Sequence, residues 1–164
     1  MKNIFLGFII FSATFVSCAK KDVQCNAVDS NVIAPANEIA NVQAYLTTNG
    51  ITATQHPSGF FYKITVAGTG QPIANLCSVV SVNYAGRLTN GTVFDPSTPG
   101  ATTSQGRFTL GGVIVGWQKG LPLIKAGGKI TLYIPPSLGY GSSPAGSIPA
   151  NSILIFDIEL VSVS

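Results

Sequence analysis

Charge is what this 164-residue chain has least of: only 9% of its residues are Asp, Glu, Lys or Arg. The formal net charge is +3, and three of the lysines, Lys2, Lys20 and Lys21, lie near the N-terminus. No basic stripe is left to follow a phosphate backbone, which argues against nucleic-acid binding. There is one histidine, His56, beside Pro57 in a linker stretch. A His-based metal site or a Ser–His–Asp or Cys–His system would have to be built around that one residue, and both lose support. The cysteines Cys18, Cys25 and Cys77 lack metal-ligand spacing. Of six acids, Asp157 and Glu159 alternate along an apolar C-terminal run and read as a solvated face. Only Asp95 is placed where a cleft acid could work, so a glycosidase-type carboxylate pair is not expected. "GGVIVG" and "GYGSSPAG" are glycine-rich without dinucleotide or P-loop spacing. No metal and no cofactor are expected.

What is present is apolar: 46% of the residues are hydrophobic, enough for one packed domain and a short extension. Met1-Lys2 is followed by an apolar stretch from Ile4 to Val16, shorter than the roughly 20 residues a membrane span needs but the size of a signal-peptide core. It ends in "FVSC", which resembles a relaxed bacterial lipobox. On that reading Cys18 is the lipidated first residue of the mature chain; the alternative is an ordinary secretory signal with a cysteine nearby. Acyl chains would hold the protein on the membrane with its domain in water. The expected location is the cell envelope, lipid-anchored at the outer membrane on its periplasmic or surface side. Residues 1–17 are then a leader, 18–57 a tether with a short helix, and 58–164 the main domain. In an oxidising compartment Cys25 and Cys77 are expected to pair; two independent thiols are the alternative.

"PANEIANVQAYLTTNGI" predicts an amphipathic helix, with Pro35 and Asn37 as starters, Ile39, Val42 and Leu46 on one face, and Asn49-Gly50 as the stop. From Gly59 onward the pattern is strand and turn. "GFFYKITV" is aromatic and β-branched, and "SVVSVNYAGRL" alternates with Val80, Val82 and Tyr84 on one side. Asn90-Gly91 is a hairpin signal leading into "TVFD". A Pro/Gly/Ser/Thr-rich loop runs over 96–106, followed by the short strand "RFTLGG". "VIVGWQKGLPLI" predicts one or two helical turns, limited by Gly116 and Pro122. "KITLYIPP" is a further strand and "ILIFDIELVSV" the last, with Ile153, Ile155 and Val161 placed near the core. The expected fold is α+β: a strongly curved antiparallel sheet of about five strands wrapping one short helix, with a short N-terminal helix before it.

Several aromatics and one well-placed acid suit a reaction without a nucleophile. Rotation about an X–Pro bond is slow because amide resonance is lost, at a barrier of about 18–20 kcal/mol. A pocket that grips the proline ring, excludes water and favours the twisted amide would suffice. The segments "VNYAGRLTNGTVFDPS", "GVIVGWQKGLPLIKAGGKITLYIPP", "LGYG" and "GSIPANSILIFDIEL" follow in order and with suitable spacing. From Ser58 to the C-terminus the chain resembles the FKBP-type peptidyl-prolyl cis-trans isomerases, the macrolide-binding immunophilins.

That resemblance implies an isomerase assisting the folding of exported proteins. Its partners would be proline-containing polypeptides and macrolide inhibitors, and it would act as a monomer. It implies Tyr84 on a pocket wall, Phe94 packing on the proline, Asp95 at the pocket edge and Trp117 as the indole floor. Tyr140 would donate to a substrate carbonyl and Phe156 would close the back. Val113 and Ile114 would line the pocket and offer backbone, and Ile148 would sit on a neighbouring loop. Gly106 stands where many members carry an aromatic, so that wall is missing or supplied by Phe108. The 96–106 loop lacks the Arg that pairs with the Asp in some members, leaving Arg107 as a substitute. These departures keep a second reading open: a low-activity chaperone or proline-peptide binding module.

Overall fold

The structure, a computed structural model, describes residues 25–95 and 104–164. The leader, Cys18 and the start of the tether lie outside the described residues. In chain order the elements are α1 (Ala36–Thr48), β1 (Thr54–Gln55), β2 (Phe61–Val66), β3 (Val79–Leu88), β4 (Val93–Asp95), β5 (Ser104–Thr109), α2 (Val115–Gly120), β6 (Lys129–Ile134) and β7 (Leu154–Val163). Every strand pairing is antiparallel, in the order β1-β2-β6-β7-β3-β4, with β5 also on β3. Among the described residues the sheet has seven strands rather than about five, for two reasons. β1 is a two-residue addition to the edge, and β4 and β5 share one side of β3, pairing with Gly86–Arg87 and Val79–Tyr84 respectively.

Side chains alternate across a strand, so each register fixes two faces. On one, Leu132 and Phe156 are in register, and Val80, Val82, Tyr84, Leu154, Ile158 and Leu160 join them in the main core. α2 lies against this face, its Gly116 and Gly120 abutting Ile134 and Leu132: an added Cβ would stand 2.6 Å and 2.7 Å from those side chains. Four residues apart, the two glycines share one side of the helix and let its backbone approach the sheet closely. Gly116 therefore does not end the helix, as its type suggested, but seats it. On the opposite face Phe61, Tyr133 and Ile155 align across three strands and are covered by Val42 and Leu46 of α1.

This second core explains the blurred pattern of the last strand and corrects its phase. Leu154, Phe156, Ile158 and Leu160 enter the main core, Ile155 and Ile153 pack beneath α1, and Val161 is half exposed. Asp157 and Glu159 pair with Arg87 and Lys129 at the surface. α1 is fixed at its start by Glu38, which accepts the Ser137 backbone N–H at 2.9 Å. Cys25 is bonded to Cys77 with Cα atoms 5.6 Å apart, joining chain positions 52 residues apart. Such closure stabilises a fold by about 2–4 kcal/mol, mainly by constraining the unfolded chain. Asp29 meets Lys119 of α2 at 3.1 Å, so the strap 25–34 runs along the helix side of the domain.

Candidate functional site: a ring-lined cavity over Trp117

Trp117 sits on the first turns of α2 and is 4% exposed. Three rings meet it nearly perpendicularly: Tyr84 of β3 at 5.1 Å, Phe156 of β7 at 5.2 Å and Phe108 of β5 at 5.9 Å between centroids. Edge-to-face contacts of this kind match the positive ring edge to the negative face and hold the rings at defined angles. They leave a cavity of about 270 Å³ lined by those four rings with Asp95, Tyr140 and the Gly112–Ile114 backbone stretch. Eight of the ten candidate pocket residues thus converge. Gly112, which the sequence reading missed, joins them; a glycine before two apolar residues carries no chemical signal of its own.

The other two are Phe94 and Ile148. Phe94 packs edge-on against Phe156 at 5.5 Å, and both rings close over Gly86, where any Cβ would collide with them. Ile148 is buried in the main core and held by a two-way backbone pairing with Ala145. Of the two, Phe94 contacts the Phe156 ring that lines the cavity.

The polar groups are few. The Tyr84 hydroxyl donates to Asp95 Oδ2 at 2.7 Å, which ties the carboxylate at the end of β4 to the middle of β3. Tyr140 stands at the rim, 46% exposed. Its phenol is pushed above 10.0 by burial and by the negative charge of Asp95, so it stays protonated and remains a donor. Trp117 Nε1 is buried with no hydrogen-bond partner among the described residues.

The two departures resolve structurally. A Cβ on Gly106 would lie 2.2 Å from the Phe108 ring, so that ring fills the space above the glycine and supplies the wall. Arg107 does not take the Asp95 side. Its register partner is Ser81, on the outward face of β3, and its guanidinium reaches Ser164 Oγ at 3.3 Å. His56 belongs to a turn: Ser58 N–H donates to its Nδ1 at 3.1 Å and its ring stacks on Phe60 at 4.4 Å. It has no part in the cavity.

An antiparallel sheet laid over a short helix, with a tryptophan flooring a ring-lined cavity that also carries Asp95, Tyr84 and Tyr140, defines an α+β module. Residues 71–161, more than half of the chain, match the family model for FKBP-type peptidyl-prolyl cis-trans isomerases. The chain belongs to that family. It is 48% identical over 117 residues to the FKBP-type isomerase FkpA of Buchnera aphidicola from Schizaphis graminum, covering 70% of this chain and 44% of the relative. The crystal structure of FkpA from Escherichia coli superposes with a TM-score of 0.68 at 39% identity, covering 79% of this chain and 60% of that one. A peptidyl-prolyl isomerase structure from Pseudomonas syringae gives 0.65 at 31% identity, covering 80% and 97%. The chain spans about half the length of the curated relatives it matches, with shares of 43% to 53%.

Proposed function

We propose that this protein is a peptidyl-prolyl cis-trans isomerase acting on proline-containing polypeptides, and that the cavity over Trp117 is where it acts. The observation that carries this reading is the perpendicular aromatic box around one indole, opening toward a single carboxylate. A proline ring lying on the indole would be held by dispersion and excluded from water. In that dry setting the twisted amide loses its resonance, and its carbonyl can be met by the protonated Tyr140 hydroxyl and the Ile114 backbone N–H. Asp95, tied to Tyr84, acts through its field rather than by proton transfer. No covalent intermediate is needed, because only rotation about C–N separates the isomers. Phe94 packs on the Phe156 ring at the same site.

The supporting test is isomerisation of a proline peptide by wild type and by Trp117→Ala, with circular dichroism checking that the variant folds. Loss of the floor is expected to lower kcat/KM by about tenfold or more, at 1.36 kcal/mol of barrier per decade. A macrolide inhibitor is expected to compete for the same cavity. A folded wild type no faster than the uncatalysed reaction would sink the enzyme reading, and peptide binding without turnover would favour a binding module instead.

The leader and "FVSC" support a further part of the reading: a lipid anchor at Cys18 and work on exported proteins in the cell envelope. On this reading residues 1–17 are removed, 18–57 form the tether with α1, and 58–164 carry the site. Among the described residues no helix is long and apolar enough to cross a membrane.

A further inference from the structure

The residue after the tryptophan has a use that the cavity lining does not reveal. Gln118 projects from α2 toward the Leu110–Ile114 segment, and its Nε2 donates to Val113 C=O at 2.7 Å and to Gly111 C=O at 3.3 Å. The first of these bonds is made to the peptide unit that joins Val113 to Ile114. In a trans peptide the carbonyl and the N–H of one plane point in opposite directions. With the Val113 carbonyl held by Gln118, the Ile114 N–H must face away from it, and Ile114 lines the cavity. That N–H has no hydrogen-bond partner among the described residues, and Val113 is held otherwise only by its own N–H to Leu110 C=O at 3.3 Å.

We infer that Gln118 is a positioning residue: its carboxamide fixes the orientation of the Val113–Ile114 peptide and so aims the Ile114 N–H at a carbonyl bound in the cavity. A donor on the carbonyl also polarises the plane and makes its N–H a stronger donor. The residue must donate, which distinguishes Gln from Glu at this place: a carboxylate would set a negative charge against two carbonyl oxygens. On its other side Ile114 is anchored through its carbonyl, which accepts the Trp117 and Gln118 backbone N–H groups at 2.9 Å and 3.1 Å, so the Gln118 side chain acts on the plane that precedes this anchor.

The catalytic consequence rests on the isomerase reading, but the geometry is testable without it. Gln118→Leu removes the donor, and the isosteric Gln118→Glu keeps the shape. In both, the backbone 15N resonance of Ile114, which responds to hydrogen bonding at the preceding carbonyl, is expected to move more than those of the buried residues of β6 and β7. Thermal midpoints report whether the fold is intact. In the isomerisation assay both variants are expected to lose about five- to tenfold in kcat/KM, the size of one neutral hydrogen bond. An Ile114 resonance unmoved in both variants overturns the proposal, as does an unchanged kcat/KM in an active enzyme. A wild type without isomerase activity would refute the proposed function and leave the resonance to decide this inference.

Discussion

At the residue scale, the lone histidine shows how a group without catalytic work can still set a pH response. Burial, and then the positive charge of Lys119, hold the His56 imidazole below its ordinary 6.5. Its Nδ1 accepts the Ser58 N–H at 3.1 Å and stands 2.6 Å from Ser58 Oγ. The unfolded chain takes up this proton near 6.5 and the folded chain only at lower pH. Its contribution to stability is therefore complete above the unfolded value and declines as pH falls through it toward the folded one. The thermal midpoint of wild type is expected to fall more steeply between about pH 7 and pH 5 than that of His56→Gln; parallel curves would show that the histidine contributes no slope. The sequence showed His56 only as a linker residue next to a proline, because a turn closed by its own ring nitrogen has no pattern in the chain. The pocket aromatics were legible for the opposite reason: they form a series in fixed order along the strands. Phe94 and Ile148 belong to that series too, yet the packing of Phe94 over Gly86 and the pairing of Ile148 with Ala145 are not reported by the series.

Among the elements, β3 was readable because its two faces differ: Val80, Val82 and Tyr84 enter the core while Ser81 and Asn83 do not. β7 was not, because α1 covers part of its second face and makes Ile155 as buried as Leu154. Alternation reports one buried face and says nothing about phase when there are two. α2 was legible as a short helix, but the work of its glycines lay in the contact with β6. Gly116→Ala places a methyl within 2.6 Å of Ile134 and forces α2 away from the sheet, carrying Trp117 with it. A loss of about 1–3 kcal/mol in urea unfolding is expected, the usual cost of overpacking a tight contact. Gly112→Ala, which meets nothing within 4 Å, serves as the comparison and is expected to leave the midpoint nearly unchanged. Equal midpoints for the two variants would mean that α2 is not seated by its glycines.

For the whole molecule, the strap that carries Cys25 decides how the domain would hang from a membrane. The disulfide to Cys77 pins the tether to the side of the domain at Cys25, and the Asp29–Lys119 contact keeps the strap there. Between Cys18 and Cys25 seven peptide steps reach at most about 25 Å at 3.3–3.6 Å per residue. A lipid-anchored chain would thus hold its domain close to the bilayer. Replacing Cys18 by Ser in the full-length chain is expected to move the protein from the membrane fraction to the soluble fraction while leaving isomerase activity per molecule unchanged. A variant that stays with the membrane would rule out anchoring through that cysteine.

Trp117 is also the only tryptophan in the chain, and it floors the cavity instead of lying in an unrelated part of the core. Its near-ultraviolet emission therefore reports on one place. The rings of Tyr84, Phe108 and Phe156 surround it, and the indole N–H has no hydrogen-bond partner among the described residues. Occupancy of the site can be followed in the unlabelled protein, at concentrations low enough to rank tight ligands, and against no background signal from a second indole.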